Sequence, residues 1–185
     1  IKIFHNENNK GIGFNYRATS HKALGKYYMM VTGDGSLSPN EIKKIVSNID
    51  KADMILTYFF DKRGIFRRGV SKMFVFITNL ITLNNLKYYN GANVYLLENV
   101  KSYIGKGSGF GFQAELITEQ IRQKKTYIEI EIEPYFISTE TSQALKLHSV
   151  LSVTGSVVLI FSNQIIYLVY SNYTGIVSLS RMLQA

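Results

Sequence analysis

A single carboxylate between two glycines is the first feature of the sequence that could do chemistry. In the stretch "YYMMVTGDGSLSP" an apolar run ends at Gly33, Asp34 and Gly35. Ligands of open α/β sheets bind beyond the carboxyl ends of the strands, and hard divalent cations prefer oxygen ligands. Asp34 is therefore a candidate metal ligand, and the alternative is that it only shapes a turn.

Basic residues form a second candidate group. Arg67 stands four residues before Ser71, a spacing that places both side chains on one face of a helix. A guanidinium makes paired, charge-assisted hydrogen bonds to phosphate oxygens. The alternative is a basic cluster that faces solvent or lipid. Further upstream, Gly11 and Gly13 indicate either a turn with close backbone approach to a ligand or an ordinary helix entry.

Composition limits the function classes. The 185 residues are 46% hydrophobic, enough for one sizeable core, and 21 Lys+Arg against 13 Asp+Glu give a net charge of +8. The charge predicts anionic partners, such as phosphates, nucleic acid or an anionic membrane face. The absence of cysteine excludes disulfides, thiolate metal sites and a cysteine nucleophile. The three histidines are too scattered to indicate a metal cluster.

Strand and helix patterns alternate along the first sixty residues. "IKIFH", "KYYMMVTG" and "ADMILTYF" read as strands, "NYRATSHKALG" has helical spacing, and "SPNEIKKIVSNID" reads as a second helix. Ser38, Pro39 and Glu41 form a capping-box arrangement at the start of that second helix. Strands that alternate with helices of this length predict a mostly parallel sheet with crossover connections.

The remaining sequence continues this order. "RRGVSKMFVFITNLITL" predicts a long helix with apolar residues on most sides, "VYLL" follows a turn, "GFGFQAELITEQIRQKK" predicts an amphipathic helix, and "TYIEIEIEP" alternates as a strand. Residues 147–180 contain no Lys, Arg, Asp or Glu. This apolar stretch is compatible with a buried helix, a membrane-surface helix, a pair of strands or a membrane span.

Five segments resemble, in order and spacing, the family-2 glycosyltransferases of the GT-A fold, especially the polyprenyl-phosphate (dolichol-phosphate) sugar transferases. They are "NNKGIGFNYRATSHKALGKYYMMVTGD", "ADMILTYF", "RRGVSKMFVFITNLI", "YYNGANVYLL" and "GFGFQAELITEQIRQKKTYIEIEIEP", which together cover roughly residues 1–134. The resemblance implies a Rossmann-like, mostly parallel sheet flanked by helices. It further implies a partial catalytic domain at residues 1–140 that lacks its first strands, an upstream continuation of the chain, and an apolar segment at residues 141–185.

The resemblance also implies an activity and a donor site. Such enzymes move a sugar from a nucleotide-diphosphate donor by metal-assisted direct displacement, with inversion. Asp34 would be the catalytic Mg²⁺ or Mn²⁺ ligand, although Gly33-Asp34-Gly35 replaces the family's Asp-x-Asp and leaves Asp34 at the middle position. Gly11 and Arg17 would approach the donor diphosphate, and Arg67 with Ser71 would contact a donor or acceptor phosphate.

The acceptor side is implied in the same way. Glu115 falls where the family places an acidic residue that acts as general base or orients the acceptor, and Gln113 is a secondary candidate. The alternative for Glu115 is a carboxylate favoured by the helix dipole. The segment "YYNG" at residues 88–91 replaces the family's aspartate-containing acceptor signature.

The expected partners are a nucleotide-diphosphate sugar, a lipid phosphate such as polyprenyl phosphate or a glycan acceptor, and the cytoplasmic face of a membrane. The role would be in the synthesis of cell-envelope or other membrane-linked glycans. A degenerate, non-catalytic module that binds a nucleotide or a lipid is the alternative. Nucleic acid is not an expected partner, because no aromatic-basic recognition motif accompanies the lysines.

Overall fold

The computed structural model describes residues 2–33, 35–60, 65–103, 105, 107, 109, 111–133 and 147–182, and in the last range it describes side chains only for residues 153–170. The described residues form ten elements. They are α1 (Ile12–Ser20), β1 (Tyr27–Met29), α2 (Pro39–Val46), β2 (Met54–Tyr58), α3 (Ile65–Thr82), β3 (Val94–Leu96), α4 (Leu97–Lys101), α5 (Phe112–Arg122), β4 (Tyr127–Glu131) and α6 (Leu147–Met182).

The four described strands form one mixed sheet in the order β1-β3-β2-β4. β3 is antiparallel to both β1 and β2, and β2 is parallel to β4. The prediction of an α/β sheet flanked by helices is confirmed, but only one strand pair is parallel, so a mostly parallel pairing is not what the structure shows. β3 is antiparallel to its neighbours because of the path of the chain that precedes it. Residues 83–93 return the chain to the end of β2 before β3 begins, and Asn79 fixes their start by hydrogen bonds to the backbone of Leu86.

β1, β2 and β4 nevertheless all point the same way, because β1 and β2 are both antiparallel to β3 and β4 is parallel to β2. Their carboxyl ends therefore meet at one edge of the sheet, here called the carboxyl edge. Loops beyond such an edge form the ligand site of open α/β sheets.

The two central strands of the sheet, β2 and β3, are buried on both faces. Met54 and Leu56 of β2 pack into a large cluster with residues of α1, α3, α5 and α6, whereas Ile55 packs on the other face with Ile45 of α2 and Val94 of β3. Burial on both faces explains why β2 reads as a continuous apolar run and not as an alternating one.

Two predictions at the N-terminal end need correction. Residues 2–10 contain no strand, because the side chains of Ile3 and Phe4 lie exposed and pack against no strand of the sheet, while the Lys22 ammonium lies over the ring of Phe4. The first helix, predicted to stop at Gly25, ends at Ser20. The capped second helix is confirmed, since the backbone N–H of Glu41 donates to Ser38 Oγ at 3.2 Å.

The C-terminal stretch is one helix, so the alternative of paired strands is wrong. In α6 a stripe of Ser156, Ile160 and Gln164 is buried against the rest of the protein, and the helix packs on α3 and α5. Among the described residues one 18-residue window, Val153–Tyr170, is long and apolar enough to cross a membrane, with a mean hydropathy of 1.6. The predicted boundary near residue 140 lies outside the described residues.

Candidate functional site

The N-termini of α1 and α5 lie side by side at the carboxyl edge. A Cβ added to Gly13, in the first turn of α1, would overlap the carbonyl oxygen of Gly107 and lie 2.8 Å from Phe112 Cβ, the first residue of α5. Unpaired N–H groups give helix N-termini a partial positive charge that attracts anions. The first turn of α1 is partly exposed and offers such donors to a phosphate, whereas the first turn of α5 is buried behind it.

Asn93 ties α5 to the ends of the neighbouring strands. Its Oδ1 accepts from the backbone N–H of Thr57 at 2.7 Å, and its Nδ2 donates to Gln113 Oε1 at 2.9 Å. Gln113, predicted to contact a ligand, is buried and also accepts from the hydroxyl of Tyr95. The structure thus places Gln113 in a polar network beneath the carboxyl edge, which secures the N-terminus of α5 there.

Residues 88–91, the predicted acceptor-side segment, lie at the same edge. Gly91 is so close to β2 that a Cβ would overlap the carbonyl oxygen of Thr57. The ring of Tyr88 packs edge-on against Phe59, which follows β2, with 4.9 Å between the centroids. Only glycine fits at position 91, so this close contact explains why the "YYNG" segment ends in a glycine.

Arg17 and Glu115 meet at the loop between α4 and α5. An Nη1–H of Arg17 donates to the carbonyl oxygen of Gly107, while the N–H of Gly107 donates to Glu115 Oε2 at 3.2 Å. The hydroxyl of Tyr103 donates to the same Oε2 at 3.0 Å. Burial and the neighbouring Glu115 carboxylate raise the pKa of Tyr103, so its hydroxyl stays a proton donor. The two residues predicted for donor and acceptor binding therefore belong to one cluster.

The carboxylate of Glu115 is only 4% exposed, and its Oε1 has no hydrogen-bond partner among the described residues. Glu115 also lines a cavity of about 600 Å³ between α5 and α6. Arg122 and Glu119 of α5 and Asn163, Ile166 and Tyr167 of α6 form other parts of its wall. A buried oxygen without a hydrogen-bond donor has lost its contacts with water and gained none in return, which costs free energy. A ligand that donates a hydrogen bond from a hydroxyl or an amine would remove this cost.

Gly11 forms the predicted turn before α1. It is the N-cap residue, with φ of 83°, and its N–H donates to Asn9 Oδ1 at 2.9 Å. A positive φ of this size favours glycine, and the absence of a side chain keeps the backbone accessible beside the N-terminus of α1.

Arg67 and Ser71 lie one turn apart on α3, and both side chains are half-buried. Residues 61–64, which connect β2 to α3, are outside the described residues. Because α3 follows the carboxyl end of β2, its first turn begins at the same edge as the N-termini of α1 and α5. The structure thus confirms the shared helix face and leaves a phosphate contact as a prediction.

Asp34 itself lies outside the described residues, but its flanks form a turn at the carboxyl end of β1. Gly35 has φ of 72°, and the hydroxyls of Thr32 and Ser36 bond to each other at 2.9 Å across the turn. Among the residues that the structure does describe, no three His, Asp or Glu side chains converge as a metal site. The described residues therefore add no ligand cluster to Asp34, whose metal binding stays a prediction.

Sequence reasoning missed Tyr103, Gly107 and Asn93. The run "GKGSGFG" places glycine at four alternate positions from 105 to 111, which was a signal for a loop in close contact with other backbone or side chains. Tyr103 and Asn93 carried no comparable signal, since a buried tyrosine or asparagine is recognised by its partners and not by its neighbours in sequence.

No protein-family model matches the chain, and no curated protein matches it. The resemblance to glycosyltransferases therefore rests on the sequence motifs.

Proposed function

We propose that this chain is part of a GT-A glycosyltransferase that transfers a sugar from a nucleotide-diphosphate donor to a membrane-linked acceptor, such as polyprenyl phosphate. One observation supports this most: the cluster of Arg17, Gly107 and Glu115 lies where the N-termini of α1 and α5 meet at the carboxyl edge. That edge also carries the described residues on either side of the predicted metal ligand, whose Thr32 and Ser36 hydroxyls bond to each other.

The chemistry needs stabilisation of negative charge. Breaking the bond between the sugar and the diphosphate adds charge to the leaving group, and donors placed in advance around that group lower the barrier. In this proposal the N-terminus of α1 faces the diphosphate, and the nitrogen atoms of the Arg17 guanidinium that do not bond to Gly107 reach it. Arg67 and Ser71 contribute from the start of α3.

Asp34 would hold Mg²⁺ or Mn²⁺, whose chemistry is to neutralise oxygens of the diphosphate. Glu115 would orient the acceptor through a hydroxyl that donates to Oε1, as a glycan acceptor supplies, because its other oxygen already accepts two hydrogen bonds. A phosphate acceptor is already ionised at neutral pH, so orientation is the main requirement and proton removal is not. The enzyme would work at the cytoplasmic face of a membrane.

The test is release of nucleoside diphosphate from a panel of UDP- and GDP-sugars with polyprenyl phosphate and Mn²⁺ present. We expect Mn²⁺-dependent release that Asp34→Asn abolishes. Asp50→Asn is the matched control, because Asp50 is an exposed carboxylate before the opposite end of β2. Unchanged turnover in Asp34→Asn would remove Asp34 from the mechanism, and no turnover with any donor would contradict the proposed reaction.

A non-catalytic module that binds a nucleotide or a lipid is the second candidate. It is favoured by the structural hydrogen bonds of Arg17 and Glu115, which hold a loop whether or not a reaction occurs. Calorimetry separates the two. Binding of UDP or GDP without turnover of the corresponding sugar donors would support the module.

A further inference from the structure

The outward face of α3 is apolar along its whole length. Ile65 is 80% exposed, Phe66 74% and Phe76 66%, and Val70, Met73 and Leu80 are exposed on the same side. At 100° per residue these positions fall within one sector of the helix, which is about 27 Å long. An exposed patch of this kind on a soluble protein marks an interaction site.

The inward face of α3 carries apolar side chains as well as polar ones, since Phe74, Val75 and Ile81 pack against the core cluster. Thr78 and Thr82 are its two buried residues, and their hydroxyls donate to the carbonyl oxygens of Phe74 and Thr78 at 2.8 and 2.7 Å. A helix that borders water normally turns its polar side outward. The outward face of α3 instead carries large apolar side chains, like the inward face, and this arrangement is favourable only where the surroundings of the outward face are themselves apolar.

The basic residues next to the outward face of α3 indicate what kind of apolar partner this face contacts. Arg67, Arg68 and Lys72 lie on α3, and the sequence has no Asp or Glu from residue 62 to residue 97. Each basic residue near an anionic lipid surface gains about 1 kcal/mol of binding free energy. Basic residues beside a stripe of large apolar side chains are typical of helices that lie in the plane of a membrane interface.

α6 also carries exposed apolar side chains. α3 and α6 pack against each other, and the exposed residues of α6 include Val158, Phe161, Ile165 and Val169. Residues 147–180 contribute no charged Lys, Arg, Asp or Glu to this surface. A protein partner would need a surface whose shape fits both helices, whereas a bilayer covers both helices without such a fit.

We propose that the outward face of α3 lies in the headgroup region of an anionic bilayer, with the helix axis along the membrane surface. This inference rests on the membrane localisation proposed above and extends it from the C-terminal helix to the centre of the α/β domain. Because α3 begins at the carboxyl edge, this orientation brings the candidate site next to the lipid phosphates.

Tryptophan fluorescence tests the proposal directly, since the chain contains no tryptophan. The Phe76→Trp variant reports on α3, and the Val46→Trp variant is the matched control on α2, where Val46 is 48% exposed. In vesicles of phosphatidylcholine and phosphatidylglycerol we expect Phe76→Trp to shift to shorter wavelength and to be quenched by brominated acyl chains. We expect Val46→Trp to remain quenched by aqueous acrylamide.

Equal acrylamide quenching of both reporters in the vesicles would overturn the proposal, even if α6 keeps the protein membrane-bound. A blue shift of Phe76→Trp that depends on protein concentration and occurs without lipid would also overturn it, in favour of a second copy of the chain. Binding is read without turnover, so a failure here is distinguishable from a failure of the proposed sugar transfer.

The charge component has its own test. Arg68→Glu with Lys72→Glu is expected to weaken binding to the anionic vesicles by about thirtyfold or more, since two favourable contributions of about fivefold each are lost and replaced by repulsion. The matched control is Lys43→Glu with Lys44→Glu on α2, which makes the same change of net charge away from α3. Equal loss of binding in both pairs would show that only net charge matters and would contradict a docking role for α3.

Discussion

Arg17 and Glu115 bond to the backbone of the same residue, Gly107. Arg17 donates to its carbonyl oxygen and Glu115 accepts from its N–H, so a cation from α1 and an anion from α5 hold one peptide segment between them. The loop that leads into α5 is thereby fixed by the two side chains that we propose for donor and acceptor binding. A change at either residue will therefore alter the loop as well as any ligand contact.

Gly107→Ala tests how closely the loop and the carboxylate fit. A Cβ at this position would overlap Glu115 Oε1 and lie 2.8 Å from its Cδ, and burial limits how far the carboxylate can move. We expect unfolding by denaturant to show a loss of about 1–3 kcal/mol, as for other overpacked sites. Gly33→Ala is the control, since a Cβ there meets nothing within 4 Å, and equal losses in both variants would contradict the close fit.

Tyr103→Phe isolates one donor of the cluster. The variant keeps the buried ring and removes the hydroxyl that donates to Glu115 Oε2 at 3.0 Å. A hydrogen bond to a charged group contributes about 1.5–3 kcal/mol to stability, and we expect a loss of that size in the free energy of unfolding. In the control, Tyr88→Phe, the ring contact with Phe59 is kept. A Tyr103→Phe protein as stable as the wild type would show that Glu115 does not depend on this donor.

The sequence predicted the elements better than their arrangement. β2, α2, α3 and α5 were predictable because a continuous apolar run, a capping box and helical periodicity are local signals. The reversed direction of β3 depends on where residues 83–93 return the chain, and no local pattern encodes that path. "IKIFH" has the composition of a strand, yet a strand also needs a partner, and its apolar side chains find none in the sheet.

For the candidate site, too, individual residues could be predicted from the sequence but their arrangement could not. Arg17 and Glu115 were selected singly, and their shared partner became visible only when α1 and α5 lay side by side. Gln113 was selected as a secondary candidate, and it stands two residues from Glu115. On a helix, however, that spacing places the two side chains on different faces, and Gln113 faces Asn93 in the interior.

Asp53 gives the fold a pH-dependent component. The hydroxyl and the backbone N–H of Thr126 both donate to Asp53 Oδ2, at 2.8 and 2.7 Å, and these bonds lower the pKa of Asp53. Because the pKa is lower in the folded state, the stabilisation is present above the ordinary carboxyl pKa of about 3.9. It is lost as the pH falls through the lower folded-state pKa.

Asp53→Asn is therefore expected to be less stable than the wild type at neutral pH, with the difference shrinking as the pH falls below about 4. Thermal unfolding across a pH series measures this. The charge-matched control is Glu98→Gln, which removes an exposed carboxylate from α4. A stability difference for Asp53→Asn that is the same at every pH would show that the charge of Asp53 contributes nothing to the joint between β2 and β4.

Gly111 and Ser156 provide a test of how α6 is attached to the α/β domain. A Cβ on Gly111 would overlap both Cβ and Oγ of Ser156, whose Cα lies 3.8 Å from the same point. Gly111→Ala should therefore push α6 away from the start of α5 and expose Ile160, which is buried in the core cluster. We expect faster proteolytic cleavage near the start of α6 and a loss of about 1–3 kcal/mol in stability.

A second substitution at the partner position makes the prediction specific. Ser156→Gly removes both overlapping atoms, so the double variant should regain the protease resistance that Gly111→Ala loses, although a glycine inside a helix itself costs about 1 kcal/mol. Ser156→Gly alone measures that cost. If the double variant were as sensitive to protease as Gly111→Ala, the close contact between α5 and α6 would not be what attaches the C-terminal helix.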